Sequence, residues 1–141
     1  MMTRKEIETI IPHRHPFLLV DYISELTPVK RAVGYKIVQE DDFWVKGHFP
    51  GMPVMPGVLI IEALAQVGAV CLLSADPFKG KIAFFAGIEN AKFRRKVLVG
   101  DTLRLEVEIS KLRPFYGIGN FKAYVGDELA CEATCSFVVG K

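Results

Sequence analysis

The sequence predicts an α+β domain in which one long central helix is wrapped by a curved antiparallel β-sheet. Two observations carry this. From Val58 to Leu73 only Glu62 and Gln66 are strongly polar, and a helix that is apolar nearly all round is normally buried on every side. Four long β-branched or aromatic segments follow it, punctuated by turn residues, and supply the wrapping material. At 141 residues the chain reads as a single domain over 1–141, since separate cores usually appear only in considerably longer chains.

Taken in order, Thr3 and Glu6 fit a capping box, which predicts a short helix over residues 3 to about 11, stopped by Pro12. Phe17 to Leu26 and Arg31 to Gln39 are β-rich and joined by a turn at Thr27 and Pro28. Gly47 to Gly57 holds three Gly and three Pro, a composition that fixes backbone angles and removes amide donors, so it reads as a shaped loop. The apolar run then favours a helix by its length and Ala-rich middle, ending near Ser74 before Pro77. Strands are expected at Lys81 to Phe93, Thr102 to Leu112, Phe115 to Val125 and Leu129 to Val139, with turns at Gly100-Asp101, Arg113-Pro114 and Gly126-Asp127. Leu103, Leu105, Val107 and Ile109 alternate with Arg104, Glu106 and Glu108, the pattern of a strand wet on one face.

Composition excludes several function classes. With 50% hydrophobic and 24% charged residues the chain buries a real core and is not disordered. A net charge of +2 is too small a field to hold nucleic acid without a local patch. Three cysteines make no complete disulfide framework, and the N-terminus lacks an apolar signal region, so the expected compartment is the cytoplasm. The apolar run is short for a membrane span and carries a carboxylate. Phosphate-binding glycine motifs and the serine-nucleophile elbow are missing from the sequence. His13 and His15 have the alternate spacing of two ligands on a strand face. Cys71, Cys131 and Cys135, however, lie singly in apolar contexts that suit small fillers, and no metal is predicted.

Glu62 and Gln66, four apart, share one helix face and form a polar stripe on an otherwise apolar rod. One reading is a structural carboxylate satisfied by its neighbours. The other starts from desolvation, because apolar surroundings disfavour a charged carboxylate and let the group hold a proton ready to donate. His48, set between Gly47 and a Phe49-Pro50 pair that limits its freedom, is the second titratable candidate. Pro56-Gly57-Val58 opens the helix with free amides and no side chain at Gly57, a cradle for a developing oxyanion. A base, a carboxylic acid and an oxyanion site together suit proton abstraction beside a carbonyl with loss of a β-oxygen, or the reverse addition.

The stretch His13 to Asp21, HRHPFLLVD, and the stretch Gly47 to Gln66, GHFPGMPVMPGVLIIEALAQ, closely resemble the 3-hydroxyacyl-acyl-carrier-protein dehydratases of bacterial dissociated fatty acid synthesis, FabZ type. Similarity around Ala86-Gly87-Ile88, Phe93-Arg94-Arg95 and Gly100-Asp101-Thr102-Leu103 extends the likeness over nearly the whole chain. The resemblance implies the hot dog fold and dimers, commonly three per hexamer. It implies a lyase acting without cofactor or metal on (3R)-3-hydroxyacyl thioesters of acyl carrier protein. His48 matches the catalytic histidine and Glu62 the catalytic glutamate, brought together from different subunits, and the Gly57 amide would face the thioester carbonyl. Ile11, Phe49, Val54 and Ala69 would line an apolar acyl tunnel, with Phe84 at its mouth where several relatives carry tyrosine. Glu62, in place of the aspartate of the sister family that also isomerises the double bond, argues for simple dehydration. Lys92, Arg94, Arg95 and Lys96, four cations around Phe93, read either as a solvated strand end or as a docking patch for the acidic carrier protein. Rival functions are a hot dog acyl thioesterase and a non-catalytic acyl-chain binding module.

Overall fold

The computed structural model describes residues 1–140. Helix α1 spans Arg4–Glu8, capped as expected by Thr3 and Glu6. It is shorter than the sequence pattern suggests, because the Thr9 amide already turns back to the carbonyls of Glu6 and Ile7. Strands β1 (Tyr22–Thr27) and β2 (Arg31–Ile37) precede helix α2 (Gly57–Leu73), and β3 (Ile82–Phe93), β4 (Thr102–Arg113), β5 (Tyr116–Val125) and β6 (Glu128–Gly140) follow it. The strands form one antiparallel sheet in the order β1-β2-β4-β5-β6-β3, and α2 packs against it. The expected helix within a curved sheet is the observed architecture.

Strand β1 begins five residues later than its β-rich sequence predicts. Phe17 and Leu18 are held in a turn by amide bonds to the Arg14 carbonyl, and Leu19 donates its amide to Gln66, so none is free for a ladder. Strands β4 and β5 behave as the alternation requires. Leu103, Leu105, Val107, Phe121 and Ala123 are buried toward α2, while Glu108, Asn120 and Lys122 face water. The ladder between β3 and β6 shifts register near Phe85 and again near Asn90, whose φ is +54°. Such bulges bend a strand and increase its twist, which curves this end of the sheet.

The helix is buried along most of its length, and it sits very close to β2. A Cβ placed on Gly34 would stand 2.7 Å from Val67 Cγ2. The glycine there sets the depth of the helix in the sheet, and a side chain would act as overpacking. Gly34→Ala is expected to cost about 1–3 kcal/mol, read as a lower urea midpoint with unchanged far-UV circular dichroism. A midpoint equal to that of the native protein would mean that β2 and α2 are not in close contact.

Candidate active site

Glu62 lies near the start of α2, with its side chain half-buried and opening on an apolar cavity of about 250 Å³. Ala65, Ala69, Phe84 and Cys135 share this cavity, as does His13. One turn further along, Gln66 is 0% exposed and makes three hydrogen bonds. Its Oε1 accepts from the Leu19 amide at 2.8 Å, and its Nε2 donates to the Phe17 carbonyl at 2.8 Å and to Glu62 Oε2 at 3.0 Å. An amide N–H can only donate and a backbone carbonyl can only accept, so the two backbone partners fix which way the Gln66 amide points. It offers Glu62 a donor and nothing else. Glu62 Oε2 is therefore held as an acceptor, and Oε1, which has no hydrogen-bond partner among the described residues, is the oxygen left to carry a proton.

Sequence reasoning missed the place of His13. Its Nε2 is 3.7 Å from Glu62 Oε2, and its buried Nδ1 has no partner among the described residues. Burial holds its pKa below the ordinary value of 6.5, opposed by the charge of Glu62 and assisted by that of Arg14. His15 lies instead in a separate polar hollow with Arg4 and Asp21, so the two histidines do not face one ligand position. The three cysteines are buried, and desolvation pushes the Cys71 and Cys131 thiols up to about 11 and Cys135 up to about 12. They fit the filler role.

His48 is held from several sides. Its amide bonds to the Trp44 carbonyl, its carbonyl accepts the Val54 amide at 2.8 Å, and its ring stacks on Phe49 with centroids 4.0 Å apart. The segment before it is clasped by the buried Lys36, whose Nζ is 2.8 Å from Asp42 Oδ1. The decisive contact is His48 Nδ1 to the Val54 carbonyl oxygen at 2.8 Å. A carbonyl accepts only, so Nδ1 carries the hydrogen and the neutral ring presents the lone pair of Nε2. In that form the ring can act as a base.

His48, Val54 and Gly57 share a second, shallower hollow of about 540 Å³ with Phe93 and Arg94 to Lys96. The Gly57 and Val58 amides at the start of α2 have no hydrogen-bond partner among the described residues. Gly57 has an additional reason to be glycine, since a Cβ there would lie 2.6 Å from the Phe93 ring. His48 and Glu62 thus open on different hollows of the chain, one beside the unpartnered Gly57 amide and one on the apolar cavity. Ile11 is buried in the hydrophobic core and lines neither hollow. Of the four cations, Arg94 pairs with Glu132 at 2.5 Å and Arg95 with Glu128 at 3.1 Å and Asp101 at 3.4 Å. Lys92 and Lys96 are exposed and have no carboxylate partner among the described residues.

Solved structures define the class first. The chain superposes with a TM-score of 0.79 at 14% identity on the dehydratase heterocomplex ApeI:P from Xenorhabdus doucetiae, covering 96% of this chain and 91% of that one. A sigma28-regulated virulence protein from Campylobacter jejuni gives 0.68 at 15% identity, covering 95% and 87%. The fold is the hot dog fold. A model of the FabA-like domain matches residues 11–134, and sequence comparison narrows the class further. The chain is 61% identical to a 3-hydroxyacyl-acyl-carrier-protein dehydratase FabZ from Clostridium novyi, over 97% of this chain and 96% of the relative. It is 59% identical to its counterpart from Clostridium botulinum, strain Kyoto, over 96% and 94%. The chain belongs to the FabA-like family, in its FabZ branch.

Two outcomes follow from the Gln66 and His13 geometry. Gln66→Leu leaves the Leu19 amide and the Phe17 carbonyl unpaired, and a chemical denaturation curve should show a loss on the order of 1–3 kcal/mol for each such buried group. Native stability in that variant would contradict the anchoring role. His13, whose pKa is lowered in the folded state, binds protons more readily when unfolded, so it makes stability fall as pH drops below 6.5 toward the folded value. A proton NMR titration of its ring should give a midpoint below 6.5; a midpoint above it would mean that the charge of Glu62 outweighs burial.

Proposed function

We propose that the protein removes water from (3R)-3-hydroxyacyl thioesters of acyl carrier protein, giving the trans-2-enoyl thioester of fatty acid synthesis, at a site built from two copies of the chain. The observation that carries this reading is the division of the machinery. His48 and the Gly57 amide lie in one hollow, while Glu62, with one oxygen held by Gln66 and the other free, lies in another that is apolar and acyl-sized. Two-fold pairing brings His48 of one subunit to Glu62 of the partner subunit, and each dimer then has two sites. The free edge of β3 supports such pairing. It is the last strand of the sheet and carries the exposed Phe84, Phe85, Ile88 and Phe93.

The chemistry needs only these groups, with no cofactor or metal. His48 Nε2 takes the α-proton, and the carbon-hydrogen bonding pair moves toward the thioester carbonyl, whose oxygen accepts a hydrogen bond from the Gly57 amide. The pair then forms the α,β double bond as the β-oxygen bond breaks. Glu62 gives its Oε1 proton to the departing oxygen, which leaves as water. His48 ends protonated and Glu62 ionised, and one proton passing between them through solvent resets the site. Phe49, stacked on His48, and Val54 flank the base, and Ala69 and Phe84 border the acyl chain. Three such dimers per hexamer and a cytoplasmic location complete the proposal; the free, buried cysteines fit a reducing compartment, and no helix among the described residues is long and apolar enough to cross a membrane.

With a 3-hydroxybutyryl thioester as substrate, the purified protein should yield enoyl thioester. Release of free thiol would favour a thioesterase, and no reaction would favour a binding module. His48→Ala and Glu62→Gln should each lower kcat by about 10²- to 10⁴-fold with the fold retained by circular dichroism. Native turnover by Glu62→Gln would remove the carboxyl group from the mechanism. Because Arg94 and Arg95 are partnered within the chain, the carrier-protein contact is best tested on Lys92 and Lys96. Changing both to Glu should raise KM for the carrier-protein substrate, with a salt dependence weaker than native, and spare a short pantetheine thioester. Equal loss on both substrates would contradict docking at this patch.

A further inference from the structure

The cavity beside Glu62 is lined by side chains of very different size. Its helix side carries the small residues Ala65, Gly68 and Ala69 and, further along, Leu72, and Phe121 and Phe137 line it from the sheet. Ten residues of α-helix separate Glu62 from Leu72, about 15 Å at 1.5 Å per residue, the reach of an acyl chain of medium length. Both phenylalanine rings rest on glycines. A Cβ on Gly117 would lie 2.5 Å from Phe137 Cζ, and one on Gly119 would lie 2.9 Å from Phe121 Cε1. Gly117 is the cross-strand partner of Phe137, and Gly119 precedes Phe121 by two residues on the same buried face of β5. On the opposite side, a Cβ at Gly68 of α2 would be 3.5 Å from the Phe121 ring. Glycine in a strand interior weakens the strand and packs nothing. Two of them on one face of β5 therefore need a reason, and the flat seating of the two rings supplies it.

We infer that Gly117 and Gly119 set the acyl-chain length the enzyme accepts, by letting the Phe137 and Phe121 rings lie back against the sheet and leave the far end of the cavity open. The inference rests on the dehydration reading above and concerns the specificity of that site. The glycines touch no substrate; they act through the rings. A methyl group at either position forces its ring away from the sheet, and the space on the ring's other side is the cavity. The cavity then shortens from that far end, while Glu62 and the reacting carbons at the other end are undisturbed.

The test is kcat/KM over a series of 3-hydroxyacyl thioesters from 3-hydroxybutyryl to 3-hydroxypalmitoyl, for the native protein and for Gly117→Ala and Gly119→Ala. Both variants should keep native values on the shortest substrate and lose about tenfold or more for each methylene that no longer fits, so the cut-off moves to shorter chains. Phe137→Leu should move it the other way, and it carries the test alone if a glycine variant does not fold. An unchanged length profile in the variants, or a loss equal at every length, overturns the inference. A native protein that dehydrates none of the series instead overturns the dehydration reading, which separates the two failures.

Discussion

The complete burial of Gln66 is the constraint on which the rest of the molecule depends. A primary amide placed on an apolar helix must find partners for its oxygen and its N–H groups or lose the cost of desolvating them. It finds them in the Leu19 amide, the Phe17 carbonyl and the Glu62 carboxyl group. Those bonds tie the segment before β1 to the middle of the chain, 47 and 49 residues away in sequence. They delay the start of β1, carry His13 to within 3.7 Å of Glu62, and decide which oxygen of that carboxyl group stays available for proton transfer. Under the mechanism proposed above, a structural requirement and a catalytic one are met by the same side chain.

The fold then separates His48 from Glu62, the two groups that the proposed chemistry must join. An apolar helix in so small a domain can be covered only by wrapping the sheet around it, which directs the Glu62 face of α2 toward the apolar cavity. The start of the same helix stays at the surface, because the loop before it is anchored outward: the Met55 amide bonds to the Val97 carbonyl and Val54 bridges to Leu98. His48 rides on that loop. His48 and Glu62 therefore belong to different hollows, and in the reading proposed above the apolar free edge of β3 seats a second copy. Self-association, on this account, is a condition of activity.

Much of this was legible from residue pattern alone. The limits of α2 followed from the Pro56-Gly57 start and the unbroken apolar run, and the strands from alternation and turn residues. His48 and Glu62 stood out because titratable groups in rigid or apolar surroundings are conspicuous. What stayed hidden depends on contacts between positions far apart in sequence. The late start of β1 needs knowledge of Gln66, and the place of His13 needs the position of Glu62. The pairing of Arg94 and Arg95 needs the register of β3 against β6 and the turn at Asp101. Gly57 was read through its amide, and only the structure shows the Phe93 ring packed over it. Periodicity reports which face is buried, but not what it is buried against.

The central claim, that a working site takes its base from one subunit and its acid from the other, is tested most directly by mixing chains. His48→Ala and Glu62→Gln proteins, distinguishably tagged and equilibrated in equal amounts, form mixed dimers in which one site holds both intact groups and the other both altered ones. Random reassortment makes half the dimers mixed, and half of their sites whole, so ½ × ½ predicts recovery of about a quarter of native activity under isologous pairing. With subunit exchange verified through the tags, a mixture no more active than the separate variants would contradict the composite site.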